Sequence, residues 1–271
     1  MQPDFRVTRI CKRVILFAAG VKNSLKAITF VIITLLSGAI AGTILGALNQ
    51  ALVEPYIDRA ISIESQNVIK EGEAVDPIEL QNYRLWQKGG EIAAGTILGM
   101  SLGALFGIVF VYSRNLLLPR SNSNVKKALV LAGIMWFVLF LIPAIKYPAN
   151  PPAVGDPETI YYRESLYIGL LAVSGFSALG LAFLYRKLGI IVPNNKNRII
   201  VVPLIYAAII VGAFLILPPN PDKINAPMDL VQGFRIASAF TMSTFWGLLG
   251  LILGAFWNRL KPHETAQITT A

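Results

Sequence analysis

The sequence has one cysteine, Cys11, and one histidine, His263. A single cysteine excludes an internal disulfide and any multi-cysteine metal centre, and a lone histidine in the C-terminal tail leaves no histidine cluster for zinc or for acid–base work. There is no Gly-x-x-x-x-Gly-Lys-[Ser/Thr] string to cradle a nucleotide triphosphate, no His-Glu-x-x-His, and no Ser/His/Asp set. The chain is therefore read as a non-enzyme with no tightly bound cofactor. Charge is scarce too. Asp, Glu, Lys and Arg make up 14% of the 271 residues, where a soluble domain carries roughly a quarter.

What fills the chain instead is apolar. Hydrophobic residues reach 55% and the mean hydropathy is +0.60. Only helices or a closed barrel satisfy their backbone inside a bilayer. The apolar runs are continuous over about 20 residues, which suits helices rather than the alternating ~10-residue strands of a barrel. The expected fold is an all-α polytopic membrane protein of about six spans, near 27–52, 90–112, 127–145, 165–185, 199–217 and 234–257. Residues 1–26 form a basic segment, read as an interfacial helix on the inner leaflet. Residues 27–258 form the transmembrane domain, with an acidic outer loop at 53–89 and a proline-rich outer loop at 146–164. Residues 259–271 are a polar tail. Pro143 is expected to kink or end the third span.

Glycine recurs every fourth residue in the first two spans, at Gly38, Gly42 and Gly46 and at Gly95, Gly99, Gly103 and Gly107. That spacing makes a smooth face for close backbone approach, within the chain or in a homo- or hetero-oligomer. Both spans carry Ala-Gly-Thr-Ile-Leu-Gly, at 41–46 and 94–99. Internal duplication and the recurrence of small residues in packed helices both account for it.

Charge sign alternates with the connections. The N-terminal segment, the second and fourth loops and the tail hold sixteen of the 24 Lys/Arg and two of the 15 acids; the other three loops hold the remaining eight and thirteen. By the positive-inside rule both termini are cytoplasmic and the proline loop faces out. The net charge of +9 then reflects membrane topology, not a nucleic-acid footprint.

No ionisable residue lies deep inside a span, so the candidates sit at the outer ends of the helices. Asp156, Glu158, Glu164 and Asp229, with Asn150, form an oxygen-rich set suited to a divalent cation. Asn49, Gln50, Glu91, Arg163 and Arg235 mark helix ends, and Ser238, Thr241 and Ser243 are hydroxyls for a polar path. A plainer reading stands beside this one. Asp-Pro-Glu before an apolar run is a helix-start pattern, with Asp156 as a cap, and membrane Ser and Thr commonly bond back to their own helix.

Lys-Tyr-Pro-Ala-Asn-Pro-Pro-Ala-Val-Gly-Asp-Pro-Glu-Thr-Ile at 146–160 resembles the outer loop of the CbtA family of predicted cobalt transporter subunits. The stretch 235–250, Arg-Ile-Ala-Ser through Phe-Trp-Gly-Leu-Leu-Gly, is similar to that family's last helix, and the small-residue run ending in Asn49-Gln50 fits as well. The resemblance implies a cell-membrane permease or permease subunit, with Co2+ (or nickel) as substrate for cobalamin synthesis. It also implies a second, small single-span partner protein carrying a His-rich segment. The alternative is an accessory protein that docks a larger membrane complex through its glycine faces.

Overall fold

The computed structural model describes residues 5–72, 76–118, 121–152, 154–191, 195–221 and 224–262, with side chains described outside 5–26 and 186–199. Asp222, Arg120, His263 and the side chains of the basic segment and of the fourth loop lie outside the described residues. The described residues are mostly helical, with no strand among them. The helices are α1 (Phe5–Leu52), α2 (Glu54–Lys70), α3 (Pro77–Ser113), α4 (Asn124–Trp136), a π turn (Phe137–Leu141), α5 (Ile142–Lys146), a 3-10 turn (Pro157–Thr159), α6 (Ile160–Ile191), α7 (Asn195–Ile216) and α8 (Met228–Leu260). Five stretches are long and apolar enough to cross a membrane, and Ile200–Ile216 is a shorter sixth. At 22 residues α7 still spans about 33 Å at 1.5 Å per residue. The protein is a multi-pass membrane protein.

Several boundaries differ from the hydropathy reading, and local chemistry explains them. α3 begins at Pro77, well before the apolar run near Gly90, because Asp76 caps it. The Asp76 carboxylate accepts from the N–H groups of Ile78 (2.8 Å) and Glu79 (3.3 Å), and Pro77 holds the first helical position, where no N–H is needed. The acidic loop is thus mostly helix. α1 runs without a break from the basic segment into the first span.

The chain forms two compact units, each drawn from several segments. The first contains residues 1–44, 92–132 and 247–271. Within it α1 and α3 run antiparallel with their glycines interleaved. A Cβ built on Gly38 would stand 2.1 Å from the Gly99 carbonyl oxygen, and one on Gly42 would stand 2.2 Å from that of Gly95. The repeated string meets itself here: Thr43 and Thr96, the third residue of each copy, share a hydrogen bond of 2.8 Å. An antiparallel contact in which equivalent residues face one another has a local two-fold axis, so each helix must present the same small-residue pattern. That geometry accounts for the recurrence without duplication. α8 packs on α4 the same way, with Gly250 and Gly254 against Ala128, Ala132 and Val125. Trp257, 1% exposed, stands edge-on to Phe110 (5.0 Å) and Phe30 (6.0 Å).

The second unit contains residues 45–91 and 133–246. Pro143 does not end the third span. The helix absorbs it through the π turn, in which Ile142 N–H bonds the carbonyl of Phe137, five residues back. The next bond in that register would run from residue 143 to Val138, and proline has no N–H to give. Ser174 on α6 supplies the missing donor, its Oγ 2.6 Å from the Val138 carbonyl oxygen. Tyr206 on α7 shares a hydrogen bond with the same Oγ at 2.7 Å. Ser174 is fully buried. Ser174→Ala is expected to cost about 1–3 kcal/mol, because it leaves both the carbonyl and the phenol without a partner. Tyr206→Phe should cost less, since Ser174 can still donate. Thermal unfolding in detergent checks both.

Candidate functional site

The candidate site lies wholly in the second unit and is built from α2, the proline loop and the start of α8. Its apolar base joins Ala60 of α2, Val154 of the loop and Leu230 and Val231 of α8, with Tyr56 and Ile224 packed against them. Tyr56 comes so close that a Cβ on Gly233 would meet its ring at 2.3 Å. The first part of the loop is fastened to α7 and α8. Lys146 donates to the carbonyls of Phe214 (2.7 Å) and Leu217 (2.9 Å) at the C-terminal end of α7, where bare carbonyls favour a cation. The Tyr147 hydroxyl donates to the Pro218 carbonyl at 2.6 Å. Further along, Arg235 donates to the carbonyl of Ala149 (3.0 Å) and to the side-chain oxygen of Asn150 (2.7 Å). Gly155 takes φ +112°, a left-handed conformation that any side chain would strain.

The sequence-chosen residues fall as follows. Asp156 caps the 3-10 turn, its carboxylate accepting from Glu158 N–H at 2.9 Å. Arg163 reaches the Asp156 carbonyl at 3.5 Å. Asn150 is engaged by Arg235, and Asp229 pairs with Arg59 of α2 at 3.0 Å. Glu158 lies in the 3-10 turn and Glu164 in the second turn of α6. Among the described residues no three Asp, Glu, Cys or His side chains converge as metal ligands. The hydroxyls bond within their helix: Thr241 donates to the Ser238 carbonyl (3.1 Å) and Ser243 to that of Ala239 (2.6 Å). Ser243 also accepts from the Trp136 indole at 3.0 Å.

A second polar centre escaped the sequence reading. Arg84 of α3 bonds Glu54 of α2 closely and Asp58 at 2.9 Å, and Lys88 bonds Asp58 at 2.6 Å. Gln50 closes the cluster by donating to the Lys88 carbonyl at 3.1 Å. Glu54 is 7% exposed. Burial raises the Asp58 carboxyl, but the hydrogen bonds from Lys88 and Arg84 outweigh it and hold the group below its ordinary value. Glu91, one turn beyond Lys88, keeps a buried Oε2 with no hydrogen-bond partner among the described residues. The signal was present in the spacing: Glu54 and Asp58 are four apart, as are Arg84 and Lys88, so each pair lines one helix face.

The family model described as a probable cobalt transporter subunit (CbtA) matches residues 27–258. The chain belongs to the CbtA family. The match covers the first four stretches that are long and apolar enough to cross a membrane and all but the last two residues of the fifth, Met228–Leu260, and the proline loop with its Arg235 clasp lies inside it. Neither the curated proteins nor the solved structures give a match. CbtA membership supports a role in cobalt transport within a multi-subunit assembly, which implies partner chains, and it is membership of a transporter family rather than an enzyme family.

Proposed function

We propose that the protein carries Co2+ inward across the cell membrane as one subunit of a permease, supplying cobalamin synthesis. The family match over residues 27–258 carries the reading. Both termini are cytoplasmic by the charge alternation, which sets α2 and the proline loop on the outer face. There Asp156, Glu158 and Glu164, with Asn150 and Asp229 after release from their arginines, give the cation its first oxygen contacts. Oxygen donors also take nickel, so selectivity over that ion rests on geometry and availability. A small single-span partner with a His-rich segment supplies the softer ligands that this chain lacks.

The test is cobalt accumulation in a strain lacking the gene, compared with nickel. Deletion is expected to lower cobalt uptake and wild-type protein to restore it. The double variant Asp156→Ala/Glu158→Ala, at equal membrane expression, should stay at the deletion level. Full uptake by that variant removes the ligand assignment; unchanged uptake on deletion removes the transport reading.

One observation favours the accessory reading. Gly169, Gly180 and Gly212 have nothing within 4 Å of a built Cβ, so small faces on α6 and α7 are left for another chain. Co-purification with an enzyme complex, together with normal cobalt uptake on deletion, would decide for it.

A further inference from the structure

A cavity of about 570 Å³ opens in the first unit, where the first, second and last long spans end together at Ala27, Ser113 and Leu260. Its apolar wall is formed by Phe30 of α1, Ile108 and Val111 of α3 and Trp257 of α8; Arg114 and Asn115, just past the end of α3, provide the polar side. Ile108 and Val111 are 51% and 40% exposed, as helix faces that meet acyl chains are.

Arg114 is the unusual member. Its guanidinium lies 5.6 Å from the centre of the Trp257 ring, which fixes it over an aromatic face. No carboxylate among the described residues pairs with it; the ion pairs there are made by Arg59, Arg84 and Lys88. Burial pushes its pKa down from the ordinary value, the mark of a cation that has given up water without gaining an anion. It stays charged, because a guanidinium does not lose its proton in proteins. A planar donor fork, half-buried and lacking an anion, is matched by the oxygens of a phosphate group.

We propose that this cavity is a binding site for an anionic phospholipid of the inner leaflet, with the phosphate on Arg114 and Asn115 and an acyl chain along Ile108 and Val111. The occupant is a lipid rather than free phosphate because three spans end at the cavity, the level at which hydrocarbon gives way to headgroups. Most of its wall is apolar surface that a bare anion would leave uncovered. Basic pockets between helices on the cytoplasmic side suit such headgroups. The lipid would hold the ends of α1, α3 and α8 together.

The experiment uses the full chain in detergent, titrated with phosphatidylglycerol, phosphatidylcholine and inorganic phosphate and read by native mass spectrometry and thermal unfolding. Wild-type protein is expected to retain phosphatidylglycerol adducts and to unfold at higher temperature with it than with phosphatidylcholine. Arg114→Gln should weaken that lipid by about tenfold, the value of one charge-assisted contact. Lys127→Gln, which removes a charge from the first turn of α4, outside the cavity lining, should leave it unchanged. Equal affinity for the two lipids overturns the proposal, as does equal loss in both variants or saturation by inorganic phosphate alone. If Arg114→Gln does not fold, the comparison between lipids on wild-type protein still decides.

Discussion

Gly99→Val is expected to abolish accumulation of folded protein in the membrane, while Gly180→Val leaves it near wild type. Both glycines lie inside long apolar helices, so helix propensity and hydrophobicity change alike. Their surroundings differ. A Cβ on Gly99 would stand 2.2 Å from the Gly38 carbonyl oxygen and 2.6 Å from the Gly42 Cα, whereas nothing lies within 4 Å of one on Gly180. The atoms in the way belong to backbone and cannot rotate aside, so α1 and α3 must separate along the whole seam. Overpacking against side chains costs about 1–3 kcal/mol; against two backbones at this distance the upper end is the starting point. Even Gly99→Ala should lower the unfolding temperature, although alanine is otherwise the better helix former by about 1 kcal/mol. Size-exclusion chromatography of a fluorescent fusion measures the effect. A monodisperse Gly99→Val peak at wild-type yield would refute the seam.

Arg84→Ala is expected to be the most damaging loss of a charge. Glu54 is 7% exposed, and removing its close partner leaves a buried carboxylate held only by Lys88 at 4.0 Å. Breaking a buried pair from one side costs about 3–5 kcal/mol. Replacing both partners, as in Glu54→Leu/Arg84→Met, should recover much of that, because the cost arises from the stranded charge. The exposed pair Arg59–Asp229 provides the contrast: Arg59→Ala should leave stability nearly unchanged, because solvent screens that pair. A double-mutant cycle on thermal unfolding separates the cases, and a single Arg84→Ala variant as mild as Arg59→Ala would show that the cluster is not dry. Asp58 adds a pH signature. Its carboxyl is held below its ordinary value, so its contribution is complete above about pH 4, the value for an unfolded chain, and fades as the pH falls through the lower folded value.

The membrane-spanning pattern was legible because it depends on composition over about 20 residues, which one sequence displays in full. The proline loop was legible as a connector for the same kind of reason: Pro148, Pro151 and Pro152 interrupt helix by covalent geometry, and Pro157 suits only the start of the next one. The extra length of α3 was not, because hydropathy cannot see a polar helix, although Asp76-Pro77 is a start signal of the same form as Asp156-Pro157. Of the candidate site, the residues were chosen by type and end of span, and that rule found Arg235 and Asn150 without revealing that one clasps the other. It passed over Glu54 and Arg84 because their pairing joins residues thirty positions apart, a relation that helix spacing suggests only when both helices are known to exist. The role of Ser174 was equally out of reach. It depends on a carbonyl freed by a proline on a different helix.

The π turn at Phe137–Leu141 fits one residue more into its turn than an α-helix would. Removing that surplus residue would let the stretch revert to regular winding while both flanks keep their faces, because the wider turn has already absorbed one residue's rotation. Trp136, which reaches Ser243 on α8, and Lys146, which reaches the end of α7, would both stay in reach of their partners. The turn is therefore a point where chain length can change without turning one helix face away from another. A single-codon deletion within Phe137–Leu141 should be tolerated better than one within the regular winding of α4, where every residue lost swings what precedes it by about 100°.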